Sequence, residues 1–175
     1  MRAVLMYDIL SKRVGQLARL TAYLGGFGLF AVIAVTCVSV TGRALGGIGL
    51  GPLPGDIELV ELGIGFAVFT ALPYAQYARA HARVDLIRPA LGALPNRLLD
   101  LAGDLLMFGF TAGLSWRLWL GTLDKATYGE TSFILQIPMV WGYRAAMAAM
   151  VVAVITAGFC VIRSARALVL REARA

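Results

Sequence analysis

Apolar positions in this chain fall into four long runs separated by short polar stretches. The first run, about 20–40, carries no charged residue across its length. That is enough helix to cross a hydrocarbon core of roughly 30 Å. The second covers about 57–77, with Glu58 and Glu61 in its first turns and Pro73 toward its far end. Pro is tolerated in a spanning helix when its neighbours satisfy the freed carbonyl. The third covers about 98–120, with Asp100 and Asp104 near its start and Arg117 near its end. The fourth covers about 137–162, opens on Trp141 and Tyr143 as an interfacial aromatic belt does, and holds Arg144. The pattern predicts an all-α integral membrane protein of four transmembrane helices in a single membrane domain, residues 1–175.

Between the second and third runs lies a basic link, Arg79–Arg97, with the only His and two Pro. Val84, Ile87, Leu91 and Leu94 recur at helical spacing, and Arg83 and Arg88 lie off that stripe. This predicts a short amphipathic segment lying in the membrane interface. Pro89 breaks it into two pieces, having no N–H to give to Asp85. The N-terminal stretch 1–19 either lies on the membrane or extends the first span. A cleaved signal peptide fits poorly, because the following run is too long and no Ala-x-Ala site closes it.

Composition agrees: 59% of residues are hydrophobic and 15% charged, against about 25% charged in a soluble domain. The net charge of +6 does not point to nucleic acid, because the charges cluster at the ends of apolar runs. There they act as topology signals and contacts for anionic membrane lipids. Lys and Arg outside the runs number four before the first, one in the first loop, four in the link, one in the third loop and four in the tail. That alternation predicts both termini and the amphipathic link on the cytoplasmic side. Cys37 and Cys160 fall near the ends of the first and fourth runs, on opposite sides of the membrane, and are expected to remain unpaired.

Charged residues within spans are the first place to look for chemistry. Glu58, Glu61, Arg117 and Arg144 belong to one side of the membrane. Asp100 and Asp104 belong to the other, with Arg79 and Arg97 at similar depth. Each set is either part of an ion path or a structural cluster that neutralises itself between helices. No acid sits at mid-depth, where a coupling-ion site is expected. A lone His81 cannot ligate a bis-His haem, no Cys/His cluster suits zinc, and no nucleophile motif is present. The chain is expected to be no enzyme and to hold no cofactor. Gly109 and Gly113, and the stripe Ala149, Ala153, Ala157, suit close helix packing within the bundle or against a partner.

Three stretches resemble the small permease subunit (the DctQ-like, or Q, subunit) of tripartite ATP-independent periplasmic (TRAP) transporters. They are Gly55-Asp56-Ile57-Glu58-Leu59-Val60-Glu61-Leu62, then His81-Ala82-Arg83-Val84-Asp85 with the later Leu94-Pro95, then Glu130-Thr131-Ser132 with Ile137-Pro138-Met139-Val140-Trp141. Their order and spacing carry the likeness over about 20–163. The resemblance implies a non-catalytic subunit that forms a heterodimer with a large elevator-type permease. A periplasmic binding protein feeds that permease, and sodium drives uptake of organic acids across the bacterial inner membrane. It assigns no ligand residues to the small subunit, and it places His81, Val84 and Asp85 in the cytoplasmic link. The competing readings are a self-sufficient four-helix carrier and the membrane anchor of a redox complex. The first would place an acid in the first span, and the second would need more His.

Overall fold

A computed structural model describes residues 2–80 and 92–172. It has four long helices: α1 Arg2–Ala44, α2 Asp56–Tyr77, α3 Ala93–Tyr128 and α4 Met139–Glu172. Each is long and apolar enough to span a membrane, so the four runs are four helices as the pattern requires. Their bounds are wider than the runs. The N-terminal stretch is not a separate segment, because α1 continues unbroken through it. α3 extends to Tyr128 before Gly129 ends it at φ 62, which shortens the polar third loop. The link's motif residues His81, Val84 and Asp85, with Pro89, lie outside the described residues.

Two antiparallel hairpins make the fold. In the first, advance along α1 is matched by retreat along α2. Gly15 lies against Tyr77, Gly25 against Thr70, Gly28 against Phe66 and Val32 against Gly63, and Ser39 donates to Asp56. The glycines allow this approach. A Cβ at Gly25 would sit 2.4 Å from Thr70 Oγ1 and 3.1 Å from the Ala67 carbonyl oxygen, and one at Gly63 would sit 2.3 Å from Val32 Cγ2. Without a hydrophobic drive between helices in lipid, such contact is a main source of attraction.

In the second hairpin α3 packs on α4. Gly121 meets Tyr143, Phe108 meets Gly158, and Arg97 donates to the Ala167 carbonyl at 2.8 Å. On α3, Asp104, Thr111, Ser115 and Thr122 are buried, and on α4 so are Ala149, Ala153 and Ala157, these three at 4% exposure or less. The alanine stripe is therefore a packing face within the chain. Thr111, Thr122 and Thr156 return their hydroxyls to carbonyls one turn back, at 2.7–2.8 Å.

The hairpins join through α2 and α4, which run parallel, with Leu62 beside Gly142 and Tyr77 beside Phe159. Among the described residues α4 touches all three other helices, whereas α3 touches α4 but neither α1 nor α2 at backbone level. α1, α2 and α4 thus touch one another and α3 packs on α4 alone, an open layer rather than a closed bundle. Burial follows: 44% of the most apolar window of α4 is covered within the chain, against 11% for α1. Gly109 and Gly113 serve no contact among the described residues, since a Cβ on either meets open space.

Candidate functional site

The antiparallel layout places the start of α1, the end of α2, the start of α3 and the end of α4 at one end of the layer. The α1–α2 and α3–α4 loops lie at the other. Polar side chains gather at these two ends and tie the helices differently at each.

At the terminal end, α2 stops in a Schellman motif. Ala80 N–H donates to the Ala75 carbonyl at 2.9 Å and Arg79 N–H to that of Gln76 at 3.1 Å. Arg79 occupies the left-handed position, φ 52, usually held by Gly. A side chain there costs about 1 kcal/mol, and the guanidinium it positions offsets that. Arg79 Nη2 donates to Asp104 Oδ2 at 2.6 Å and also to Ser164 Oγ, and Nη1 lies 3.5 Å from Asp100 Oδ2. Ser164 in turn donates to Asp104 Oδ2 at 2.6 Å. The spacing of Asp100 and Asp104 puts both acids on the α3 face toward Arg79, so one cation binds α2, α3 and α4 together. Arg97, expected in this set, bonds a backbone carbonyl instead.

Beside this network, Phe159 stacks between Tyr7 and Tyr77, with ring centroids 5.6 and 6.4 Å away. Arg163 lies 5.8 Å over Tyr77 and Arg166 lies 4.0 Å over Tyr7. Tyr77 donates its hydroxyl to the Ser11 carbonyl at 3.3 Å, using the room left by Gly15. The extension of α1 is thereby fastened to α2 and α4.

At the loop end, residues 129–138 form a small hairpin. Thr131 and Pro138 bridge antiparallel, Ser132 N–H donates to the Ile137 carbonyl at 2.9 Å, and Met139 N–H to that of Glu130 at 2.9 Å. Buried Ser132 accepts from Ile137 N–H through its hydroxyl at 3.1 Å. Lys125 pairs with Glu130 at its base. This hairpin folds over the start of α2. Glu58 Oε1 accepts from Ile134 N–H at 2.6 Å and Oε2 from Leu135 N–H at 2.9 Å. Leu135 covers Gly55, whose φ of 75 and lack of Cβ are both needed, because a Cβ would meet Leu135 Cγ at 2.5 Å. Two of the stretches singled out in the sequence, around Glu58 and around Ser132 and Pro138, thus meet in one clasp. The acid of α2 binds two consecutive amides, a charge-assisted arrangement.

The expected ion cluster of Glu58, Glu61, Arg117 and Arg144 does not form. Glu58 is taken by the hairpin amides, Arg144 lies 5.5 Å over the ring of exposed Trp141, and Glu61 and Arg117 are exposed. Sequence reasoning had no account of the Arg79 backbone or of Ser164, the aromatic stack, Ser39 or Leu135. A Gly directly before the acids of a helix start was the available signal for the Gly55–Leu135 contact. Pro95 lies in the first turn of α3, exposed.

Under the hairpin, a groove of about 600 Å³ runs between α2 and α3, with α4 as its floor. It exists because α2 and α3 both pack on α4 without meeting. At the opposite end Arg79 bridges the same gap.

These features define a multi-pass helical membrane protein whose buried charges fasten helices to one another. The family model for the DctQ component of tripartite ATP-independent periplasmic transporters matches residues 32–169. The chain belongs to that family: it is a small membrane component of a TRAP transporter, and its partners are other components of such a transporter. Neither a curated protein nor a solved structure matches it.

Proposed function

We propose that this chain, as one membrane domain, is the non-catalytic scaffold subunit of a sodium-driven TRAP transporter for organic acids. It forms a heterodimer with a large permease whose mobile part moves as an elevator, and a periplasmic binding protein supplies the substrate. It lies in the bacterial inner membrane with both termini, and the basic link containing His81, Val84 and Asp85, in the cytoplasm. The alternation of Lys and Arg supports that orientation. Glu58, Ser132 and Pro138 then shape the periplasmic end, and Asp100, Asp104 and Arg79 tie the cytoplasmic end. Gly109 and Gly113, on the bare back of α3, offer a smooth surface to a helix of the large subunit.

The observation that carries this reading is the combination of an open layer with tied ends. Asp104 and Glu58 are each committed to fixed partners in other parts of the chain, while broad apolar faces of α1 and α3 are left uncovered by it. A pull-down in mild detergent should retrieve a large multi-spanning permease in equal amount. Proteoliposomes holding both subunits and the binding protein should take up an organic acid only with a sodium gradient. Uptake by this chain alone would overturn the proposal.

A further inference from the structure

The groove between α2 and α3 has a polarity order of its own. Down the α2 face that lines it come Glu58, Glu61, Leu62, Gly65, Phe66 and Phe69, spaced for one side of a helix. The acids are at the loop end and the aromatic rings about 12 Å deeper, from 1.5 Å of rise per residue. Leu118 of α3 and Ala146 of α4 continue the apolar depth, and Tyr143 lies nearer the mouth.

The two acids are not equivalent. Glu58 is bound by the hairpin amides. Glu61 has no hydrogen-bond or ion-pair partner among the described residues, and no basic side chain lines the groove. A cleft at membrane depth is filled by lipid or protein, and a carboxylate there needs a cation or donors. An anionic ligand would meet charge of its own sign.

We propose that this groove seats one phospholipid with a primary-ammonium headgroup. The ammonium sits on the Glu61 carboxylate at the mouth, and an acyl chain lies along Phe66, Phe69 and Leu118. The match is one of charge and of order: cation above, hydrocarbon below, in a trough of the right depth for the upper part of one leaflet. The lipid fills the gap that Arg79 closes at the other end, so α2 and α3 are coupled at both ends. This assignment does not depend on which substrate the transporter carries.

The test compares wild type with two variants, each purified with its partner subunit and reconstituted in nanodiscs. The bilayers contain phosphatidylethanolamine or phosphatidylcholine, and lipid retained after detergent extraction is quantified by mass spectrometry. Glu61→Gln removes the charge. Gly65→Leu fills the trough, and a Cβ at Gly65 meets nothing within 4 Å. Wild type should retain phosphatidylethanolamine over phosphatidylcholine. Glu61→Gln should lower that retention about fivefold, the factor that ~1 kcal/mol per charge near a bilayer surface corresponds to. Gly65→Leu should abolish it at unchanged melting temperature, which keeps the test decisive if Glu61→Gln misfolds. Retention equal in wild type and Gly65→Leu, retention indifferent to headgroup, or a cysteine at position 65 crosslinking to another subunit would each overturn the assignment.

Discussion

Replacing Asp104 by Leu tests the terminal-end network most directly. The Asp104 side chain is 7% exposed and Arg79 23%. Removing one partner of a fully buried pair costs about 3–5 kcal/mol, mostly because the other charge is left uncompensated. Two features reduce that here: Arg79 reaches water, and it keeps Asp100 at 3.5 Å. About half the cost should remain, ~2 kcal/mol on the same scale. For a chain of this size that corresponds to a fall in melting temperature of about 4–8 °C, measured by thermal unfolding of the isolated chain in mild detergent. Asp104→Asn, which keeps an oxygen for Ser164 to donate to, should lose less. The decisive comparison is the double variant Arg79→Met with Asp104→Leu. If the cost is an orphaned charge, removing that charge recovers stability, and the double variant melts above Asp104→Leu alone. A double variant that melts lower still would refute the reasoning and make Arg79 valuable for its packing or its cap geometry instead.

Three further outcomes are expected. Glu58→Gln leaves one carbonyl oxygen where two carboxylate oxygens accepted, so amides of Ile134 and Leu135 should exchange with deuterium about tenfold faster while the helices stay protected; unchanged exchange would mean the hairpin holds itself. Gly25→Leu should cost the isolated chain about 1–3 kcal/mol by overpacking against Thr70, whereas Gly109→Leu and Gly113→Leu should leave its melting unchanged and show only as lost retention of the large subunit. In a Cys37→Ala background, Gly47→Cys should react with an impermeant maleimide from the periplasmic side and Lys12→Cys only after permeabilisation; the reverse pattern would invert the proposed orientation.

The four helices were legible because a bilayer demands long apolar runs and little else produces them. Which faces meet was far less legible. A lipid-exposed surface is as apolar as a buried one, so α1 and α2 show almost no amphipathic contrast, and only small or polar residues betray a contact. Ala149, Ala153 and Ala157 betrayed theirs. Gly109 and Gly113 have the same local character yet lie on the bare side of α3, because smoothness marks a surface without saying what covers it. The acids show the same division. Asp100 and Asp104 share a face by spacing, and a cation was present at their depth, so their partner could be inferred. Glu58 has no cation as its partner. Its partners are backbone amides brought back by a chain reversal at Gly129–Pro138, and no side-chain inventory lists those.

A carrier must exchange two arrangements of its helices, and the placement of the ties bears on whether this chain does so. Arg79 fixes α2 to α3 and α4 at one end, and Glu58 fixes α2 to the α3–α4 hairpin at the other. Between them the buried polar groups include Thr70, Thr111 and Thr156, whose hydroxyls bond carbonyls of their own helices, so they offer no second partner to switch to. Moving α2 against the second hairpin would take the cation from the buried Asp104 carboxylate at one end and release Glu58 from two amides at the other in the same step. At the Arg79–Asp104 end a hydrogen bond between charged groups contributes about 1.5–3 kcal/mol, and nothing within the described residues replaces it in a displaced state. This agrees with the proposed reading, in which the motion that transport requires belongs to another component.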